Sequence, residues 1–242
     1  MNPKPTRERE DRAVGWSLAS FSYLKPESRR LAFVLFALVL GVVLAYASAL
    51  IHAGAVTAYA TVAIEYGLYL LYLSRTRDPV FARLLVFGLI AGAIELVTDA
   101  WAVDVTRTLV YPADGPFLWR SPLYMPFAWG STFLQLGGIA HWVSGRWPLL
   151  ASSLALGLIG ALDIPFYEQM AKGAGWWFYQ KAPMLGNAPW YVIGTEILVV
   201  AALPVVARWV GNGSLGLSAG LGVALGAWIG VAALISYSLA GH

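Results

Sequence analysis

The chain has 242 residues, 59% of them hydrophobic and only 12% charged, with a mean hydropathy of +0.66. Soluble domains carry roughly 25% charged residues, so this composition excludes an ordinary soluble domain and makes lipid the solvent. The net charge of +3 sits mostly in loops and reports topology rather than nucleic-acid binding, and the absence of cysteine excludes disulfides, thiolate metal sites and cysteine nucleophiles.

Residues 1–30 form a polar, mixed-charge segment with no signal-peptide core, so the first span is itself the targeting element. Trp16, Leu18, Phe21 and Tyr23 suit a stretch lying on the membrane surface. Residues 31–242 then read as one transmembrane domain. Seven apolar stretches are expected as helices, at 31–53, 55–74, 79–101, 121–143, 147–166, 189–209 and 215–239. Each approaches the roughly 20 residues that a helix needs to cross a bilayer, and none alternates like a barrel strand. With the amino terminus in the cytoplasm, twelve Lys and Arg fall on the inner side and four on the outer side. That bias fixes the orientation and leaves the carboxyl terminus outside. The expected fold is an all-α integral membrane protein of seven transmembrane helices, multi-pass in a bacterial inner (cytoplasmic) membrane.

Two long connections, about 102–120 and 167–188, fall on the outer side, where elaborated loops mark a working face. In the first, TRTLVY and FLW flank Pro-Ala-Asp-Gly, which predicts a hairpin around Asp114-Gly115. Ser121-Pro122 then reads as a helix start. In the last span Gly222, Gly226 and Gly230 recur every four residues, as do Gly216 and Gly220. Such spacing lets helix backbones approach closely, within the chain or between subunits of a homo-oligomer.

Six acids lie in or beside the spans. A rise of 1.5 Å per residue puts Asp99 about 3 Å from the outer end of its span, Asp163 about 5 Å, Glu95 about 9 Å, Glu196 about 10 Å and Glu65 about 15 Å. Glu168 falls just past the fifth span, where a loop salt bridge is its simplest role. Asp99 and Asp163 also suit water-facing positions. Glu65, Glu95 and Glu196 must face the bundle interior, be protonated or be paired, and no Lys or Arg lies deep enough to pair with them. Glu95 and Asp99, one helical turn apart, are the expected catalytic pair, with Glu65 and Glu196 close by. The aromatic residues cluster on the same side. Trp101, Trp119, Tyr124, Trp129, Trp177 and Tyr191, with Asp163, are expected to line a substrate cavity whose rings hold apolar ligands and shelter cations.

His52, His141 and His242 are too scattered to share one metal, so no metal or other cofactor is expected, although a carboxylate site for Mg²⁺ or Ca²⁺ stays open. Walker, dinucleotide and serine-elbow motifs are lacking. The seventh span has no lysine, which excludes a retinal Schiff base.

Seven short-looped helices in about 240 residues, buried acids and no metal ligands give a chain that resembles the membrane-integral terpene cyclases of meroterpenoid pathways, and also the membrane carotenoid hydratases and cyclases. The resemblance implies a membrane carboxylic acid that protonates an alkene or epoxide, with Glu65, Glu95 and Asp99 as candidate acids. The leading expectation is an enzyme that performs acid–base chemistry on an apolar, isoprenoid lipid. Two alternatives stay open. One is a transporter or ligand-binding protein whose acids hold protons or a cation. The other is a structural or assembly subunit of a membrane complex.

Overall fold

The computed structural model describes residues 25–240. The surface-lying stretch expected around Trp16, Leu18, Phe21 and Tyr23, and His242, lie outside the described residues. Seven helices run as α1 (Pro26–Ile51), α2 (Ala55–Thr76), α3 (Pro79–Asp104), α4 (Met125–Ser144), α5 (Leu149–Ala174), α6 (Trp190–Asn212) and α7 (Leu215–Ala240). Six are long and apolar enough to cross a membrane, and α4 is the exception. Twelve of its 20 residues are buried, Ser131 and Gln135 among them. A helix walled by other helices has little contact with lipid and can carry polar side chains that a peripheral helix cannot.

One half of the bundle is tightly packed. A Cβ on Gly88 would stand 2.3 Å from the Gly130 carbonyl oxygen, and one on Gly92 equally close to that of Pro126, so α3 and α4 meet backbone to backbone. In the same way Gly222 lies against Phe87 and Ile90, and Gly226 against Ile94, which joins α7 to α3. This part of the glycine stripe is therefore used within the chain, whereas Gly220 faces open space and Gly216 meets only the Ser214 hydroxyl of its own turn.

The other half is looser. Helix α1 leans on α4 where Val34 meets Gly138, and on α5 where Ala49 meets Gly173. Between those levels α1, α2, α4 and α5 enclose a cavity. Beyond its end away from the long loops lies an aromatic plug. Phe33 stacks on Tyr72 at 4.2 Å and meets Phe81 and Tyr69 edge-on. Beneath the plug Asp78 caps α3 by accepting from the backbone N–H groups of Val80 and Phe81, and the buried Arg30 guanidinium donates to its carboxylate at 2.8 Å.

The long loops interlock. Strand β1 (Leu109–Val110) pairs with β4 (Phe178–Tyr179), β2 (Phe117–Leu118) with β3 (Ser121–Pro122), and β5 (Met184–Leu185) with β6 (Ala188–Pro189). The hairpin expected around Asp114-Gly115 is therefore replaced, because the TRTLVY run pairs with the other loop instead of with FLW. Asp114 accepts from the Ala55 N–H at 2.8 Å. It meets one of the unsatisfied donors that open α2, whose preceding residue Gly54 has no side chain to do so. Ser121-Pro122 is strand β3, and the proline in the first turn of α4 is Pro126.

The loop expected at 167–188 begins later. Helix α5 runs through Pro165 and continues to Ala174, since a proline deletes only one backbone donor and the following Gln-Met-Ala-Lys run favours helix. It stops at Gly175, whose φ of +78° suits glycine and whose N–H bonds back to the Ala171 and Lys172 carbonyls.

Candidate functional site

The cavity has a volume of about 120 Å³ and is lined by five carboxyl groups, those of Glu65, Asp99, Asp163, Glu168 and Glu196. They come from four helices. No Lys or Arg lines it. The ion pairs among the described residues, Arg30–Asp78, Arg120–Asp104 and Arg146–Glu27, use none of these acids. Tyr111, Tyr124, Tyr167, Tyr179, Trp129, Trp176 and Trp177 complete the wall.

Asp99 is held by the loops. Its Oδ2 accepts from the Tyr111 hydroxyl at 2.6 Å and from the Ser121 hydroxyl at 2.8 Å. Pairing of β1 with β4 places Tyr111, and the β2–β3 pair places Ser121. Burial, followed by the neighbouring Asp99 and Glu95 carboxyls, pushes the Tyr111 hydroxyl well above the usual phenol range, so it stays a donor. Burial has the same effect on Tyr179.

Glu65 anchors the deep end. Its Oε2 accepts from the Ser131 hydroxyl at 2.6 Å and its Oε1 from the Gln135 amide at 3.1 Å, and that amide also reaches the Tyr69 hydroxyl at 2.7 Å. Ser131 and Gln135 are four residues apart on α4, so one helical face supplies both donors. Gly41 makes room for the carboxylate, because a Cβ there would lie 2.6 Å from Oε1. Near the loops the Trp177 indole N–H donates to Glu168 Oε2 at 2.8 Å. The indole nitrogen of Trp129, also in the wall, is buried and finds no acceptor among protein atoms.

Glu95 lies behind Asp99, 2% exposed, with its carboxyl against that of Asp99. No protein N–H or O–H reaches its Oε2. It borders a smaller chamber of about 50 Å³ with Trp101, Tyr191 and Thr195, which shares Asp99, Trp129, Tyr179 and Glu196 with the main cavity. Among the described residues no three His, Cys, Asp or Glu side chains converge closely enough to hold a metal ion.

Of the residues expected from sequence, Glu65, Asp99, Tyr124, Trp129, Asp163, Trp177 and Glu196 line the main cavity, and Glu95, Trp101 and Tyr191 the smaller one. Trp119 is in neither. It is exposed in a shallow surface depression beside Arg107 and Arg120. Glu168 corrects the expectation of a loop salt bridge, since it is buried within α5 and faces the cavity. Ser121, Ser131, Gln135 and Tyr167 were missed. For Ser131 and Gln135 the signal was present in the sequence, as a four-residue polar spacing inside an apolar helix.

The chain belongs to the family described as domain of unknown function DUF6989, whose model matches residues 96–240. The match contains Asp99, Asp163, Glu168 and Glu196, whereas Glu65 and Glu95 precede it. No curated protein and no solved structure matches the chain.

Proposed function

We propose that this protein is a membrane-embedded enzyme that performs carboxyl acid–base chemistry, a cyclisation, hydration or isomerisation, on an apolar, isoprenoid-type lipid. The observation that carries the reading is the gathering of five carboxyl groups in one aromatic-walled cavity with no Lys or Arg in its lining. In hydrocarbon an ionisable group is retained where it has work to do. In this reading α4 spans the membrane with the other six helices, in a bacterial cytoplasmic membrane, and the excess of Lys and Arg at the opposite end puts the loops on the outer side.

Two buried carboxyls one helical turn apart on α3 repel unless they share a proton, and Asp99 is the member that faces the main cavity. Asp99 donates that proton to a carbon–carbon double bond or an epoxide oxygen. The carbocation lies over the faces of Trp129, Trp176 and Trp177. Glu65 or Glu196 then removes a proton from an adjacent carbon, or deprotonates a water that adds to the cation. A cation-binding role without chemistry would draw on the same acids. Phe33, Tyr69, Tyr72 and Phe81 pack ring against ring between Glu65 and the Arg30–Asp78 pair, which favours the enzyme over an open ion path.

The test is mass spectrometry of isoprenoid lipids after incubation with the purified, reconstituted protein. Product formation should fall by about 10²–10⁴-fold in Asp99→Asn and in Glu65→Gln, the range for loss of a general acid or base. A lipid profile that is the same with wild type, with both variants and without protein would remove the proposal.

A further inference from the structure

Interlocked loops lie over one end of the cavity and packed aromatic rings beyond the other, which leaves its side as the direct way in. Over it Tyr124 donates to the Trp176 carbonyl oxygen, the Trp176 indole to Thr57 and the Gln180 N–H to the Thr108 carbonyl oxygen, while Phe33, Tyr69, Tyr72 and Phe81 pack together beyond the Glu65 end. Among the described residues that line the cavity, Asp163 alone is exposed. Glu65, Asp99, Glu168 and Glu196 are all buried. The helical rise puts Asp163 about 16 Å from the Ala174 end of α5 and about 21 Å from Leu149, near mid-helix. Its exposed neighbours are Ile159, Leu162 and Phe166. A carboxylate in that apolar surface is costly unless something polar comes to meet it. Across the seam α1 presents Leu38, Gly41 and Val42 to the same cavity, in the interval between its contacts with α5 at Gly173 and with α4 at Gly138.

We propose that the cavity opens sideways between α1 and α5 with Asp163 at its sill, and that its ligand enters from the lipid, polar end first. The ligand is a long-chain amphiphile whose terminal group donates a hydrogen bond, such as an alcohol. Its polar end passes Asp163 on the way to the inner carboxyls while the chain trails through the seam. Asp163 sets specificity, since it accepts a donor end and gains nothing from an ester. This rests on the membrane reading and on the cavity as a ligand site, and is independent of the acid–base step.

The experiment uses the full chain in phosphatidylcholine vesicles with farnesol and farnesyl acetate as probes, and measures binding without turnover. Wild type takes up farnesol at least tenfold faster than the acetate, and Asp163→Leu narrows that preference to within twofold. Entry is tested by locking the roof. Val110 and Phe178 face each other in the β1–β4 register, and opposed residues of an antiparallel pair stand close enough for a disulfide. With no native cysteine to interfere, Val110→Cys combined with Phe178→Cys gives one oxidisable bridge. The farnesol association rate should agree within twofold between its oxidised and reduced forms. A spin label attached through Asp163→Cys should collide with oxygen in the lipid more than with an aqueous nickel chelate. A tenfold slower rate in the oxidised form, dominant nickel collisions, an unchanged preference in Asp163→Leu, or no retention of farnesol by wild type would each overturn the proposal. A failure of Asp99→Asn to affect lipid turnover would leave it standing.

Discussion

The two halves of the bundle solve the same problem in opposite ways. Helices α4 and α7 close on α3 through glycines until backbone touches backbone, whereas α1, α2 and the cavity face of α5 stand apart around carboxylates. Both halves are built from apolar helices, so hydropathy does not separate them. The difference lies in what occupies the interhelical positions. Glycine lets dispersion forces act over the whole contact. An acid there demands hydrogen-bond donors and space, and the helices part to provide both.

The sharpest way to break this contrast is to put a side chain into the closed half. Gly92→Val drives a branched Cβ into the Pro126 carbonyl, and neither backbone can give. The expected loss is about 4 kcal/mol or more, read as failure to recover monodisperse protein after detergent extraction. Next is the ion pair under the aromatic plug. Arg30→Met leaves the buried Asp78 carboxylate without its guanidinium and should cost about 3–5 kcal/mol, seen as a lower thermal midpoint in detergent.

Smaller effects come from the open half. Tyr111→Phe removes one of two donors to Asp99 and should cost about 1.5–3 kcal/mol. Its pH dependence has a definite sign. The Tyr111 pKa is raised in the folded chain, so the phenol ionises first in the unfolded chain, near its usual value of about 10. The stability linked to this group is complete below that pH and falls as pH rises toward the folded value. Unfolding measured from pH 8 to 11.5 should show a steeper alkaline loss in wild type than in Tyr111→Phe. Equal slopes would remove Tyr111 from the titration. Gly41→Ala meets only the movable end of Glu65, so its stability cost should stay under about 1 kcal/mol. If the proposed acid–base reading holds, the displaced carboxylate should nevertheless lower lipid turnover by about 100-fold, the scale of a misplaced catalytic group. The mildest substitution is Gly67→Ala, which has open space around it on α2 and should raise stability by about 0.5–1 kcal/mol.

Much of this contrast was legible in the sequence. Hydrophobic run length located all seven helices, and the cost of a buried charge singled out Glu65, Glu95 and Glu196 before any fold was known. What escaped was set by long-range contact. The fifth apolar run was expected to stop at 166, yet α5 continues for eight more residues and takes Glu168 from loop to cavity. The turn signal at Asp114-Gly115 was read as local, whereas Asp114 is committed to the start of α2, 59 residues away in the chain. Trp119 looked like its aromatic neighbours and differs only in the direction it points, which period and composition do not encode.

The turn between α1 and α2 carries a consequence for how the protein is made. Its Gly54 N–H awaits the Ala174 carbonyl, its Ala55 N–H awaits Asp114, and Thr57 awaits Trp176. During synthesis the first two helices therefore insert with these bonds unmade, and Glu65 waits for its enclosure until the fifth helix and the start of the loop beyond it have emerged. A nascent chain arrested before residue 174 is an unfinished intermediate, open to whatever quality-control machinery inspects half-built membrane proteins.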